Sequence, residues 1–292
     1  MNTWLIIQTV INGLLLGGIY SLVGIGITLI FGVMKIVNFA AGAYLVWGMY
    51  FTYIWYGITG LEAYALIPPV VLSMVAFGYV TFKLTIRQVL GTGFTTFILI
   101  TVGMSFFLQN LAEVIFGTTP LRVPSSIGMS SARVGGFVFA YPRLIAFAAM
   151  MVIVLGLGIL LGKTQLGRAM RATSENAEVA QMLGVNTEKT FTIAFLIGVT
   201  MAGVAGLLVT PIFFVSAAAA ETFRLTPLVA VVLGGLGNVR GALIGGFIVG
   251  VVESLAATFI SADIGVGAVC VLFLIVVYLF PQGLFGKGAR AA

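Results

Sequence analysis

The sequence predicts an all-α protein that crosses a membrane about eight or nine times. Of its 292 residues, 61% are hydrophobic and only 8% are charged, whereas soluble chains carry about 25% charged residues. Because one span takes about 20 residues, eight or nine spans occupy roughly 160 to 180 residues and leave only short loops. We therefore expect residues 1–292 to form a single transmembrane domain.

The residue types that are missing exclude several kinds of chemistry. Histidine is absent and Cys270 is the only cysteine, which excludes histidine metal sites, Ser-His-Asp or Cys-His catalysis and a disulfide within the chain. We expect no enzyme activity, metal or cofactor in this chain. The net charge of +6 is accounted for by basic cytoplasmic loops and scarce acidic residues, and does not indicate nucleic-acid binding.

The N-terminal part contains two predicted spans and the first candidate passage residues. The first span covers 5–33 and carries Gly13 and Gly17, a GxxxG pair that lets a neighbouring helix approach closely. A second span ends near Tyr56 and begins with a polar Asn38, followed by Phe39 and Gly42. A polar residue at this depth either caps a helix or faces a cavity, so these three residues are candidates for a translocation pathway.

The third span is predicted over 63–82 and the fourth carries a polar stripe. Thr101, Ser105 and Gln109 recur at four-residue spacing and so share one helix face. Such a stripe either joins helices or lines an aqueous path, and we include it among the candidate pathway residues. The loop 117–142 follows, with a small hairpin predicted around two glycines at 135–136.

The most polar stretch of the chain, 163–190, holds seven of the 22 charged residues. It follows the span 144–161 and predicts a short helix at the membrane surface. Ser174 is its expected N-cap, Glu175 and Glu178 suit its first turn, and Gly184 is expected beyond its last turn with a positive φ. Nearby cations, including Arg171, place this stretch in the cytoplasm.

A broken helix is predicted beyond the span 191–209. Thr226 and Pro227 suit the start of a helix that runs only about ten residues, to Gly234. The glycines that follow, Gly235 and Gly237, interrupt it. Broken helices mark substrate passages in transporters, so these three glycines are candidate pathway residues. Two acidic residues, Glu113 and Glu253, are possible intramembrane carboxylates, and the final span is predicted over 266–279.

Positive-inside counting orients the chain. The first cation is Lys35, and the basic loops follow at 83–87, 163–189 and 240. The N-terminus is therefore expected outside and the C-terminus in the cytoplasm. This arrangement requires nine segments if the broken helix is counted.

Several motifs resemble the permeases of ABC importers. Glu178-Val179-Ala180 followed by Gly184 is similar to their Glu-Ala-Ala-x-x-x-Gly loop, and 166–172 and 182–186 resemble the branched-chain amino acid permeases more narrowly. Near Asn38, the family's His and Glu are replaced by Ala41 and Ala43, so no role of those side chains carries over. The resemblance covers nearly the whole chain, from Gly13 to Gly286.

The resemblance implies partners and an energy source. In the family, the loop helix docks on an ATPase, which here implies a coupling set: Arg171, Glu175, Glu178, Ala180, Leu183 and Gly184. The implied partners are a second permease subunit, two ATP-binding subunits and a periplasmic substrate-binding protein in a bacterial inner membrane. Gly162-Lys163-Thr164 lacks the first glycine of a P-loop and follows a span, so ATP is expected to be used only by partner subunits.

Alternative functions stay open on the sequence. An importer of urea or short amides fits the same motifs. A stand-alone secondary transporter would need buried carboxylates or histidines for ion coupling, and the candidates in this chain are Glu113 and Glu253. A membrane scaffold would need neither the polar stripe nor the broken helix.

Overall fold

Eleven helices and one short β-hairpin make up the described part of the chain. In this computed structural model that part comprises residues 3–125, 128, 130–134, 137–261, 264–280 and 282–286. The helices are α1 (Thr3–Met34), α2 (Ala41–Thr59), α3 (Ile67–Leu84), α4 (Phe94–Phe116), α5 (Tyr141–Lys163), α6 (Gln165–Glu175), α7 (Ala177–Met182), α8 (Thr187–Val209), α9 (Ala219–Gly234), α10 (Val239–Phe259) and α11 (Ile264–Leu279). Single 3₁₀ turns, Ala63–Leu66 and Ile86–Val89, flank α3.

Six helical segments are long and apolar enough to cross a membrane. They are α1, α4, α5, α8, α10 and the segment Ala63–Val89, which consists of α3 and its two flanking turns. The all-α membrane architecture expected from composition is therefore present. The expected count of eight or nine segments depends on α2, α9 and α11, which fall outside this group. At 16 residues each, α9 and α11 are about 24 Å long, whereas the hydrocarbon core is about 30 Å thick.

Helix α1 lies at the centre of the packing. In its most apolar stretch 83% of residues are buried inside the chain, against 17% for α5. Its most extensive contact is with α10. A Cβ atom on Gly17 would lie 2.7 Å from the carbonyl oxygen of Gly246, and one on Gly250 would lie 2.5 Å from the Cα of Gly17. The close helix approach predicted from Gly13 and Gly17 is thus confirmed, and its partner is α10.

The predicted hairpin in the loop after α4 is also present. Strands β1 (Ser131–Val134) and β2 (Phe137–Ala140) pair antiparallel, with Val134 opposite Phe137. The two glycines of its turn, 135–136, lie outside the described residues. Gln8 of α1 exchanges two hydrogen bonds with the backbone of Val138, at 2.7 and 2.9 Å, so the start of α1 lies beside the hairpin.

Contacts between loops divide them into two sets at opposite ends of the helices. At one end, Leu121 bridges Val215 and Ser125 donates to Glu62, close to the hairpin. At the other end, Arg87 and Glu188 form an exposed ion pair at 2.6 Å. These two sets are the loops predicted to lie outside and inside, respectively.

The structure corrects the start of the broken helix. Helix α9 begins at Ala219, so Thr226 is a buried interior residue and Pro227 lies inside the helix. Alanine has the highest helix propensity, and the alanine run at 217–220 allows the helix to begin before the start predicted at Thr226. A proline inside a membrane helix is tolerated because neighbouring helices satisfy the freed backbone groups.

Candidate functional site

The polar loop between α5 and α8 folds as two short capped helices. Thr164 caps α6 by accepting a hydrogen bond from Gly167 N at 3.1 Å. Asn176 caps α7 by accepting from Glu178 N and Val179 N, both at 3.0 Å. The N-cap predicted at Ser174 is therefore wrong, because Ser174 lies within α6 and Glu175 ends that helix. Glu178 does lie in the first turn of α7, as expected.

The turn after α7 has the geometry predicted for Gly184. Its φ is 86°, which glycine adopts without strain and other residues rarely do. Gly184 N donates to Gln181 O, and Val185 N donates to Ala180 O, both at 3.0 Å. This pair of bonds is a Schellman motif that satisfies the last carbonyls of the helix.

One side of α7 presents apolar side chains to the exterior. Val179, Met182 and Leu183 are 50%, 85% and 79% exposed. Ala180, expected to share the docking face with Leu183, is only 2% exposed. Ala180 turns toward the chain itself, since α7 packs against α6 and α8. The side chain of Ala180 therefore does not share the exposed side with Leu183, where Val179 and Met182 lie instead.

Helix α6 connects this loop to the membrane body. Its buried side carries Gly167, Met170 and Thr173. From the exposed side, the Arg171 guanidinium donates a hydrogen bond to the carbonyl of Leu161 at the end of α5. Because cations stabilise the C-terminal end of a helix, Arg171 holds α6 against α5.

The break between α9 and α10 is real and is braced by the C-terminal segment. Gly235 and Gly237 have φ values of 93° and 84°, and Asn238 then caps α10 by accepting from Gly241 N at 3.1 Å. Leu284 N donates to Leu233 O at 2.7 Å, and the Asn238 amide donates to Phe285 O at 2.9 Å. Gly234 packs against Gly241.

The helix break and α6 face one cavity of about 690 Å³, which we call the basic cavity. Arg171, from the predicted coupling set, and Gly237, from the candidate pathway residues, both line this cavity. Its described lining residues are Thr28, Leu29, Phe31, Gly32, Val33, Lys35, Leu161, Met170, Arg171, Ser174, Val232, Leu236, Gly237, Asn238, Val239, Arg240, Gln282, Phe285 and Gly286.

The start of α2 is packed rather than open. Asn38 is buried, and its Oδ1 accepts from Ala40 N at 3.0 Å, which is a turn just before the helix. A Cβ atom on Gly42 would lie 2.5 Å from Ala220 O, so this glycine permits the contact between α2 and α9. Phe39 is half-buried. The geometry of Asn38 and Gly42 is that of helix packing.

The predicted polar stripe on α4 divides into a buried and a half-exposed part. Thr101 and Ser105 are completely buried; Thr101 lies 3.0 Å from Phe97 O in its own helix and 3.4 Å from Val37 O across to the neighbouring segment. Only Gln109 reaches a partly open surface, where its Oε1 accepts from Arg224 at 3.0 Å. The stripe is therefore buried over most of its length, and Ser105 Oγ has no hydrogen-bond partner among the described residues.

Arg224 is a candidate that the sequence reasoning missed. It lies in the sixth position of α9, with its guanidinium carbon 4.9 Å from the centre of the Phe106 ring. Its Nε is buried without a hydrogen-bond partner, and no carboxylate among the described residues forms an ion pair with it. An unpaired guanidinium can bind a carboxylate. Because the helix was predicted to start only at Thr226, Arg224 was not considered as part of a membrane helix.

The possible intramembrane acid Glu253 connects two helices. Its Oε1 accepts from the Tyr20 hydroxyl at 3.1 Å, which joins α10 to α1. This bond gives Glu253 a packing role at the seam between the two central helices.

Comparison with known proteins identifies the family. The family described as "Branched-chain amino acid transport system / permease component" matches residues 9–280. The high-affinity branched-chain amino acid transport system permease protein LivH of Escherichia coli K12 is 30% identical over 300 residues, 96% of each chain. Protein BraD of Pseudomonas aeruginosa, which has the same description, is 28% identical over 96% of each chain.

A more distant relative extends the comparison. The probable branched-chain amino acid transport permease protein LivH of Methanocaldococcus jannaschii is 25% identical over 91% of this chain and 88% of its own. No solved structure matches. Since the family match covers nearly the whole chain, this protein belongs to the branched-chain amino acid transport permeases.

Proposed function

We propose that this chain is a translocation subunit of an ATP-driven importer of branched-chain or related amino acids, with residues 1–292 acting as one membrane domain. The observation that carries the proposal is the apolar group on α7: Val179, Met182 and Leu183. These side chains are exposed on a loop helix that lies beyond the ends of the membrane helices. An apolar group exposed at such a place suits contact with a protein partner.

The partner that fits is an ATP-binding subunit. A hydrolysing partner would supply the energy that this chain has no nucleotide motif to use, and ATP would bind there and not here. In the proposed assembly, the chain pairs with a second, non-identical permease subunit, two ATP-binding subunits and a periplasmic substrate-binding protein. Family membership supports this assembly, since the relatives are described as components of transport systems.

A charge change on α7 tests the proposal. We expect Met182→Asp combined with Leu183→Asp to leave the protein in the membrane but to abolish leucine uptake and recovery of the ATPase with the purified permease. Burying each apolar side chain in an interface contributes about 1.5–3 kcal/mol, and a buried carboxylate is costly. The measurements are labelled-leucine uptake in cells and co-purification of the ATPase.

The matched control is Gln181→Ala, because Gln181 is exposed on the same helix and contributes no apolar area. It should leave uptake and co-purification near wild type. Normal uptake with a normally assembled ATPase in the double aspartate variant would contradict the coupling role of α7.

The orientation is part of the proposal. The loop set containing α6 and α7 carries most of the cations, which supports a cytoplasmic location for it and, with nine segments, an outside N-terminus and an inside C-terminus. In a Cys270→Ser background, Thr118→Cys should react with an impermeant maleimide in intact cells. Gln181→Cys should react only after permeabilisation, and reaction in intact cells would reverse the orientation.

Competition between substrates distinguishes the proposed amino acid importer from the alternative, an importer of urea or short amides. In cells expressing the complete importer, excess unlabelled isoleucine or valine should suppress leucine uptake and urea should not. Suppression by urea alone would favour the runner-up. Uptake that continues without any ATP-binding subunit would instead indicate a secondary transporter.

A further inference from the structure

The basic cavity brings three cationic side chains together with no carboxylate among its described lining residues. Lys35 at the end of α1, Arg171 on α6 and Arg240 on α10 all line it, and its described lining contains no acidic residue. None of the three forms an ion pair with a carboxylate of the described residues. Like charges around one partly enclosed space repel one another, so an anion in the cavity would be stabilised by all three.

The position of Arg240 strengthens this reading. It lies in the first turn of α10, which holds no acidic residue, although the partial positive charge of a helix N-terminus favours acids there. The positive potential of the helix N-terminus and the positive charge of the Arg240 guanidinium therefore add to each other.

Two further residues of the lining point the same way. Thr28 is fully buried, and its Oγ1 has no hydrogen-bond partner among the described residues, although buried hydroxyls are normally bonded. Lys35 has φ 58°, the left-handed region that lysine rarely adopts. A lysine held in this conformation where glycine or asparagine would be unstrained suggests that its ammonium is used.

The apolar side chains of the cavity indicate which class of anion would fit it. Apart from the cations, the cavity is lined largely by apolar side chains, among them Phe31, Leu161, Met170 and Phe285. A small hydrophilic anion leaves such walls uncovered, whereas an amphiphile covers them. Basic pockets between membrane helices on the cytoplasmic side bind anionic lipid headgroups.

We propose that the basic cavity is a binding site for a phosphate group, with Lys35, Arg171 and Arg240 as its ligands and an anionic phospholipid as its source. Several cations suit a phosphate diester, and guanidinium groups bind phosphate with paired hydrogen bonds. Only the leaflet from which the lipid comes, the cytoplasmic one, rests on the proposed function.

Native mass spectrometry of the full-length chain in mild neutral detergent tests the site. After incubation with phosphatidylglycerol and phosphatidylcholine of equal acyl length, we expect retention of phosphatidylglycerol alone. Lys35→Gln combined with Arg240→Gln should lower the retained fraction by about tenfold or more, the effect of losing charge-assisted hydrogen bonds. Arg168→Gln combined with Lys83→Gln is the matched control, since it removes two exposed cations of the same loop set that do not line the cavity.

A second arm separates a lipid from a soluble phosphate compound. Thermal midpoints are measured without phosphatidylglycerol, in millimolar inorganic phosphate against chloride at equal ionic strength. If the cavity variant loses lipid retention and the control does not, the ligand is a lipid. If the cavity variant loses stabilisation by inorganic phosphate and the control does not, the ligand is a soluble phosphate compound. Equal retention and equal midpoints in the folded cavity variant and its control, with circular dichroism as the fold check, would overturn the site. Because no partner subunit is present, failure of the import proposal would leave this readout unchanged.

Discussion

Two regions of this protein depend on glycine for different physical reasons. At the seam between α1 and α10, glycines allow backbones to touch: a Cβ atom on Gly17 would lie 2.7 Å from Gly246 O. At the turn after α7, nothing lies within 4 Å of the position of a Cβ on Gly184. Gly184 is required only by its φ of 86°. The first region is limited by space and the second by backbone conformation.

Because of this difference, substitutions at the seam should affect the stability of the fold, and substitutions at the α7 turn should affect coupling to a partner. A side chain added at the seam meets rigid backbone in the most buried helix, so the damage spreads through the core. A side chain added at the α7 turn strains one residue and leaves the membrane body intact. The seam should therefore control folding, while the turn should control what the loop can bind.

The largest expected effect is at the seam. Gly17→Val should destabilise the fold by about 3 kcal/mol or more, because overpacking against backbone forces the two helices apart. Size-exclusion chromatography and the thermal midpoint in detergent measure this loss. Gly156→Val is the matched control on α5, where a Cβ would contact nothing, and it should behave like wild type. A Gly17→Val protein of normal midpoint would contradict the seam's role in stability.

The next effect is at the α7 turn. Gly184→Val should insert normally but lose leucine uptake and ATPase recovery, since a β-branched residue with positive φ costs about 1–2 kcal/mol and reorients the end of α7. Gly184→Asn should keep uptake, because asparagine tolerates the left-handed region. Equal uptake in both variants would show that the backbone conformation at this turn is unimportant for coupling.

A smaller effect is expected at Arg224, which shares features with both glycine regions. Its backbone packs tightly against Gly42, as at the seam, but its side chain is half-exposed, as at the loop. If the chain imports amino acids as proposed above, the Arg224 guanidinium is expected to bind the substrate carboxylate. Arg224→Gln should then reduce leucine uptake about tenfold, the loss of one charge-assisted hydrogen bond, with an unchanged thermal midpoint. Arg143→Gln, which removes a cation from another membrane helix, is the comparison variant. Unimpaired uptake in Arg224→Gln would remove this role.

Regular patterns in the sequence predicted most of the helices. Apolar runs of about 20 residues identified the long spans, the GxxxG pair identified a close helix contact, and Gly184 and the glycines at 235 and 237 identified the two sharp turns. These features depend on residues near one another in the chain. The boundaries predicted at Ser174 and Thr226 were wrong because several residues can begin a helix. Asn176 caps α7 in place of Ser174, and α9 begins in the alanine run before Thr226.

By itself, the sequence determined the all-α membrane class, the basic loop set, the short loop helix that ends at Gly184 and the resemblance to the family, because each follows from composition or from local spacing. Only the tertiary structure decided which side of each helix is covered. It buried Ala180 and Thr101, exposed Met182, and brought Lys35, Arg171 and Arg240 together from three separate segments. The physical reason is that helix periodicity defines a face but not its neighbour, and that neighbour is selected by packing between residues far apart in the chain.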